Sequence, residues 1–256
     1  MIATTMGDHM ARTLLITGAS SGIGAACARL GAAPGDHVIL HYGRNRDGAE
    51  AAASAARDAG ARTTLIQADV GRPDDVLRLG KEAAVADPAL PLHLVNNAGI
   101  VDQRASLADL SPARLTRMFA VNITGAILVA QQAVALMRRG SAGGGIVNVS
   151  STAARKGMGG QYMDYAASKA AIDCFTIGLA DELAGEGIRV NAVRPGLIDT
   201  EIHAKGGEPA RLAEIGHTPP LGRPGTAEEV AEAILWLLSD RASYTTRSIL
   251  DVAGGR

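Results

Sequence analysis

The chain has 256 residues, 47% hydrophobic and 20% charged, with 25 Lys and Arg against 26 Asp and Glu. That composition excludes a disordered chain and supplies enough apolar surface for one sizeable core. A net charge of −1 with no basic stripe argues against a nucleic-acid partner, and two cysteines far apart exclude a disulfide framework.

Residues 1–10 are polar and lack the apolar stretch of a signal peptide, so they are expected to be a disordered extension before a single domain over 11–256. No uninterrupted run of 18 apolar residues occurs, and no membrane span or membrane partner is expected. Cys27 and Cys174 read as buried helix thiols in a reducing, cytoplasmic setting.

In chain order, strands are predicted at Thr13–Thr17, His37–Tyr42, Thr63–Gln67, His93–Asn96, Ile146–Ser150, Arg189–Val193 and Ser248–Asp251. Helices are predicted at about Gly22–Ala33, Asp47–Ala59, Asp74–Ala86, Ala113–Arg138, Tyr165–Ala184 and Ala227–Ser239. Strands such as Leu14-Leu15-Ile16 and Val38-Ile39-Leu40 are apolar without alternation, which marks burial on both faces. Alternating β and α elements then predict an α/β fold, one doubly wound parallel sheet with helices on both faces. The stretch Leu197–Gly225, broken by Gly206-Gly207, Pro209, Pro219-Pro220 and Pro224, is expected to be a substrate loop.

The first strand runs directly into Thr17-Gly18-Ala19-Ser20-Ser21-Gly22-Ile23-Gly24 and a helix. Glycines there let backbone approach a pyrophosphate, which the helix N-terminus then stabilises through its free N–H groups and dipole. Gly18, Ser20, Ser21, Gly22, Ile23 and Gly24 are therefore candidate cofactor-binding residues. The glycine spacing, together with Asn96-Asn97-Ala98-Gly99, Asp69-Val70, Tyr165-Ala166-Ala167-Ser168-Lys169 and Pro195-Gly196, resembles the short-chain dehydrogenase/reductase family. The resemblance runs from about Thr13 to Arg256 and implies a Rossmann-type fold, a nicotinamide cofactor, and a small carbonyl or alcohol substrate. It also implies a homo-oligomer, a tetramer or a dimer.

Tyr165 and Lys169 are four apart in a helix and share a face. An ammonium close to a phenol favours the phenolate and brings its pKa toward working pH, so Tyr165 is the candidate acid/base. Ser150 and Ser151 end the fifth strand, where a hydroxyl can bond a substrate oxygen. The family pattern puts the catalytic hydroxyl at Ser151, although the commoner spacing to the tyrosine would select Thr152. The resemblance gives Asn122 a relay role through its backbone carbonyl. It also has Asp69 and Val70 read adenine, Asn97, Ala98 and Gly99 line the adenine-ribose side, and Thr200 bond the carboxamide, with Pro195, Gly196 and Ile198 in the same run.

The end of strand two bears Tyr42, not the carboxylate that NAD-preferring relatives use on the ribose, and Arg44, Asn45 and Arg46 follow. An arginine fork suits a 2′-phosphate, so NADP(H) is favoured and NAD(H) is the alternative. The six histidines show no metal-ligand spacing, and no metal is expected. The substrate pocket is expected from Asp102–Arg104, Ala153–Tyr162 and the 197–225 loop, with Gln103, Arg104, Arg155, Met158, Tyr162 and His203 as candidate contacts. Rival readings are an NAD-linked sugar or polyol dehydrogenase and a non-catalytic cofactor-sensing protein. Arg247 stands near the C-terminus where relatives usually carry Gly at a turn.

Overall fold

A computed structural model describes residues 10–140, 142–201, 206–208 and 210–256. Residues 1–9, to which the sequence assigns a disordered extension, and His203 lie outside the described residues. The elements are β1 (Thr13–Ile16), α1 (Gly22–Gly31), β2 (His37–Tyr42), α2 (Arg46–Asp58), β3 (Arg62–Gln67), α3 (Pro73–Ala83), β4 (Leu92–Asn96), α4 (Pro112–Phe119) and α5 (Ala126–Met137). They continue with β5 (Gly144–Val149), α6 (Ala153–Lys156), α7 (Met163–Leu183), β6 (Ile188–Pro195), β7 (Ile198–Asp199), α8 (Arg211–Ile215), β8 (Gly225–Thr226), α9 (Ala227–Leu238) and β9 (Ile249–Val252).

Seven parallel strands form one sheet in the order β3-β2-β1-β4-β5-β6-β9. Alternate side chains leave a strand on opposite faces, so Leu14, Ile16, Val38 and Leu40 pack with Cys27, Ala53, Val230 and Ile234 on one side. Leu15, Ile39, Leu94 and Ile146 pack with Val76, Leu79, Val129 and Ala133 on the other. That two-sided burial is why the inner strands carry no polar alternation. Helices supply matching apolar stripes: in α2, Ala49, Ala52, Ala53 and Ala56 are buried at helical spacing below the Asn45 cap. Strand order reverses between β1 and β4, which opens a crevice at their carboxyl ends.

Three departures from the sequence reading have physical causes. The helix expected over Ala113–Arg138 is interrupted by a π-helical segment, Ala120–Gly125. Taken whole, Pro112–Met137 is 26 residues long and apolar enough to cross a membrane by length and composition, although Asn122, Thr124, Gln131 and Gln132 interrupt any unbroken apolar run. Its buried Val129, Ala130, Ala133, Val134 and Met137 face α3 and β4, as befits a core helix of this fold. Cys27 is buried as expected, but Cys174 is exposed: α7 turns that position away from the sheet. The 197–225 segment is not structureless, since β7 pairs with β8 through Ile198–Gly225 and Asp199–Thr226 and closes its base.

Candidate active site

The carboxyl ends of β1, β4, β5 and β6 surround one cavity with about 1110 Å³ of empty space, counted to its open mouth. Ile23, Asn97, Gly99, Ser151, Thr152, Tyr165, Lys169, Pro195, Gly196, Ile198 and Thr200 all line it. Residues chosen from separate motifs over nearly 180 positions thus meet at one crevice.

The glycine loop is held from below. Thr17 Oγ1 accepts from the N–H groups of Asn97 and Ala98 at 2.9 and 3.0 Å. Asn97 Nδ2 donates back to the carbonyls of Thr17 and Gly18 at 2.9 and 3.2 Å. A Cβ on Gly24 would lie 2.3 Å from the Gly18 carbonyl, and one on Gly18, where φ is +67°, would lie 2.9 Å from Asn97 Nδ2. Only glycine therefore allows the loop to close onto α1. Ser21, the N-cap of α1, makes no side-chain cap, so the first helical turn keeps backbone donors for an anion. This cradle fits a dinucleotide pyrophosphate.

Sequence reasoning missed His41. Its Nδ1 accepts from Gly18 N at 3.2 Å and its Nε2 donates to the Ala68 carbonyl at 3.1 Å, which fixes a neutral imidazole under the loop. Burial lowers its pKa, against the pull of Ala68, Asp69 and Asp75. Asn45 spends its side chain on Gly48 N, as cap of α2, and on the Ser20 carbonyl. Tyr42 is buried, whereas the Arg44 side chain is exposed and makes no hydrogen bond or ion pair among the described residues. Asp69 accepts from Arg117 at 3.0 and 3.1 Å and from Gly71 N, while Asp75 holds the Asp69 N–H. Val70 is buried beside the π segment, its carbonyl against Gly125.

Tyr165 and Lys169 stand on consecutive turns of α7, with Nζ 5.7 Å from the ring centroid. Lys169 is buried and donates to the Val149 carbonyl at 2.8 Å. Burial lowers its pKa to about 8 against the opposing charge of Asp173. Burial likewise raises the Tyr165 pKa, with the hydrogen bond to Ser151 pulling the other way. The sequence expectation was a phenol already acidified by its lysine. The difference arises because the ammonium sits beside the ring and bonds a carbonyl, while desolvation dominates at the hydroxyl.

Ser151 therefore contacts Tyr165, and its Oγ also accepts from Ala153 N at 3.1 Å. Thr152 is buried in the cavity wall, with its N–H donated to the Pro195 carbonyl. Asn122 lies in the π segment, accepts from Ile100 N at 2.8 Å and donates to the Ile100 carbonyl and Ser168 Oγ. A Cβ on Gly99 would touch both Asn122 Oδ1 and Lys169 Nζ, at 3.3 and 3.4 Å. Just ahead of Tyr165, the buried Asp164 carboxylate holds Arg114 at 2.7 and 3.1 Å and so pins α4 to the start of α7.

The substrate side departs from expectation. Met158 and Tyr162 line the cavity; Gln103, Arg104 and Arg155 do not. Arg104 pairs with Glu208 and Arg155 with Asp251. Lys156 from the expected 153–162 stretch and Arg211 from the expected 197–225 loop line it as well, joined by Val101 and Arg256, which lie outside the expected segments. Arg211 stacks on the Tyr162 ring at 5.1 Å and pairs with Glu208 at 3.1 Å. Their placement depends on the folded 197–225 segment and the returning C-terminal strand, which no local motif reveals. Among the described residues no cluster of His, Cys, Asp or Glu could hold a metal ion.

A family profile described as enoyl-(acyl carrier protein) reductase matches residues 18–256. The oxidoreductase YgfF of Escherichia coli (strain K12) is 46% identical over 94% of this chain and 98% of its own. The cis-4-hydroxycyclohexanecarboxylate dehydrogenase of Sinomonas cyclohexanicum is 41% identical over 98% of each. A solved short chain dehydrogenase/reductase family protein superposes with a TM-score of 0.80 at 39% identity, covering 95% of this chain and 96% of that one. With the parallel sheet, the glycine cradle and the Ser151, Tyr165 and Lys169 cluster, these likenesses make the chain an oxidoreductase of the short-chain dehydrogenase/reductase family.

Proposed function

We propose that the protein reduces a ketone, or oxidises the matching secondary alcohol, with NADP(H) and with Tyr165 as the proton donor and acceptor. The observation that carries this reading is the convergence of Ser151, Tyr165 and Lys169 on the cavity that Ile23 and Thr200 also line. When bound, the nicotinamide supplies or takes the hydride. Gly18, Ser20, Ser21, Gly22, Ile23 and Gly24 would hold its pyrophosphate, Asp69, Val70, Asn97, Ala98 and Gly99 its adenosine side, and Pro195, Gly196, Ile198 and Thr200 its nicotinamide end.

The chain's own chemistry then follows. Ser151 Oγ fixes the substrate oxygen and Tyr165 Oη beside it. Tyr165 enters protonated, because burial holds its pKa up, and delivers that proton as charge develops on oxygen. Lys169, poised near pH 8, favours the resulting phenolate when charged and can pass a proton onward toward Asn122. The exposed, unpaired Arg44 beside a buried Tyr42 supports a 2′-phosphate and hence NADP(H) over NAD(H). The free, buried Cys27 supports a reducing, cytoplasmic setting, a chain of nearly balanced charge supports small-molecule partners, and membership of the family supports a homo-oligomer.

The test is consumption of NADPH and NADH across a panel of cyclic and linear ketones, with Tyr165→Phe alongside. Turnover with wild type and its loss in Tyr165→Phe, with dinucleotide affinity kept, is expected. Turnover in Tyr165→Phe within tenfold of wild type would remove the tyrosine from the role. For the cofactor, Arg44→Ala is expected to weaken NADPH about tenfold and NADH little, the worth of one charge-assisted bond. Equal losses for both cofactors would overturn the NADP assignment.

A further inference from the structure

The cavity wall carries four cations, Lys156, Lys169, Arg211 and Arg256, and among the described residues no Asp or Glu lines it. Two of the four are accounted for: Lys169 donates to Val149 and Arg211 pairs with Glu208. Neighbouring arginines are neutralised too, Arg155 by Asp251 and Arg194 by Asp173 at 2.7 and 2.8 Å. Lys156 and Arg256 make no ion pair with an Asp or Glu among the described residues. They come from opposite ends of the site. Lys156 ends α6, five residues after Ser151, and Arg256 follows a turn through Gly254 and Gly255, where φ is +60° and +86°. That turn is fixed by Leu221 N donating to the Gly254 carbonyl at 3.1 Å, so Arg256 is directed by built structure. Apart from Asn97, the hydroxyls of Ser150, Ser151, Thr152 and Thr200, and the two tyrosines, the rest of the wall is apolar, with Val101, Val149, Ala153, Met158, Leu197 and Ile198.

We infer that Lys156 and Arg256 form an anion subsite, and that the substrate is a ketone or secondary alcohol on an apolar skeleton that also carries a carboxylate or phosphate. This rests on the oxidoreductase reading above and adds the substrate class. Lys156 and Arg256 put two positive charges on the wall of one cavity that, among the described residues, no Asp or Glu lines. Lys156 registers this: burial and the charges of Arg256 and Arg155 all lower its pKa. An anion bound there is attracted by both, and an arginine fork donates to carboxylate or phosphate oxygens in pairs. The apolar wall meanwhile takes up the carbon skeleton and leaves the carbonyl to Ser151 and Tyr165.

The experiment compares 4-oxocyclohexanecarboxylate with its neutral methyl ester at matched NADPH. In wild type the acid is expected to exceed the ester in kcat/KM by about tenfold, chiefly through KM and less so at high salt, because rim charges are screened. Lys156→Gln and Arg256→Gln are each expected to shrink that ratio several-fold, and Lys156→Glu to invert it. A ratio near one in wild type, or one the variants leave unchanged, overturns the subsite while the oxidoreductase reading stands. Calorimetry on the protein with and without NADP⁺ gives a readout independent of turnover, using cyclohexanecarboxylate, cyclohexyl phosphate and neutral cyclohexanecarboxamide. Anion binding weakened by both Gln variants supports the subsite even if no ketone is reduced, and the tighter anion identifies the group. Equal binding of the amide and both anions overturns it.

Discussion

Tyr165 sits under two opposed pressures, desolvation that keeps its proton on and the Ser151 hydrogen bond that eases it off. The hydroxyl that touches the phenol is the one whose loss matters most, so Ser151→Ala is expected to lower kcat about 10²-fold, as removal of one oxyanion donor does. Thr152→Ala, at a wall position bound through its backbone, should lose much less; the reverse order in paired kinetics would reassign the hydroxyl. Arg247 has a stability consequence. Its φ is +64°, while its N–H donates to Val190 at 2.7 Å and its side chain pairs with Asp181 between two exposed groups. A left-handed non-glycine residue costs about 1 kcal/mol, and an exposed ion pair returns little of it. Arg247→Gly is therefore expected to raise Tm by about 1–3 °C in a chain of this size. An unchanged or lower Tm would show that Asp181 offsets the strain.

At the scale of elements, strands and helices declared themselves wherever a period or a cap wrote them locally. Leu14-Leu15-Ile16 reads as a doubly buried strand, and Thr226 with Glu229 forms the capping box that starts α9. The π segment did not, because Ala120–Gly125 sits inside a longer helical stretch and the approach of Gly125 to the Val70 carbonyl that marks it comes from another part of the chain. Likewise the sequence pointed to the glycine loop but not to what braces it, since His41 and Asn97 act across strands. Asn97 caps two carbonyls that would otherwise be buried without a partner, at a cost of about 1–3 kcal/mol each. Asn97→Ala is thus expected to weaken dinucleotide binding by about tenfold or more, the opposite signature to Tyr165→Phe. Fluorescence titration of NADPH checks it, and an unchanged Kd would mean that the loop holds its shape without the clamp.

Over the whole molecule, the features least legible in sequence are those that join distant segments: Arg256 reaching the site through β9, and three histidines kept neutral inside the sheet. His37 bridges Thr64 Oγ1 and the Arg62 guanidinium at 2.9 Å each, with its pKa lowered to about 4 by burial and by Arg62. Burial lowers His93 to about 3, with Arg12 and Arg189 adding to it, and it lowers His41 in the same direction. A group whose folded pKa lies below its unfolded value near 6.5 takes up protons in the unfolded chain first. Stability should then fall as pH drops from about 6.5 toward 4, with each histidine contributing at most about 1.4 kcal/mol per pH unit. The carboxylates with lowered values, among them Asp164, Glu208 and Glu229, lose their contribution only below about pH 4.5, so the window above that belongs to the histidines. Urea unfolding at pH 7.0 and 5.5 is expected to show a clear loss at the lower pH, and His37→Gln, which keeps a donor for Thr64 but cannot titrate, should reduce it. A stability flat or rising between pH 7.0 and 5.5 would mean that these imidazoles are charged in the folded protein.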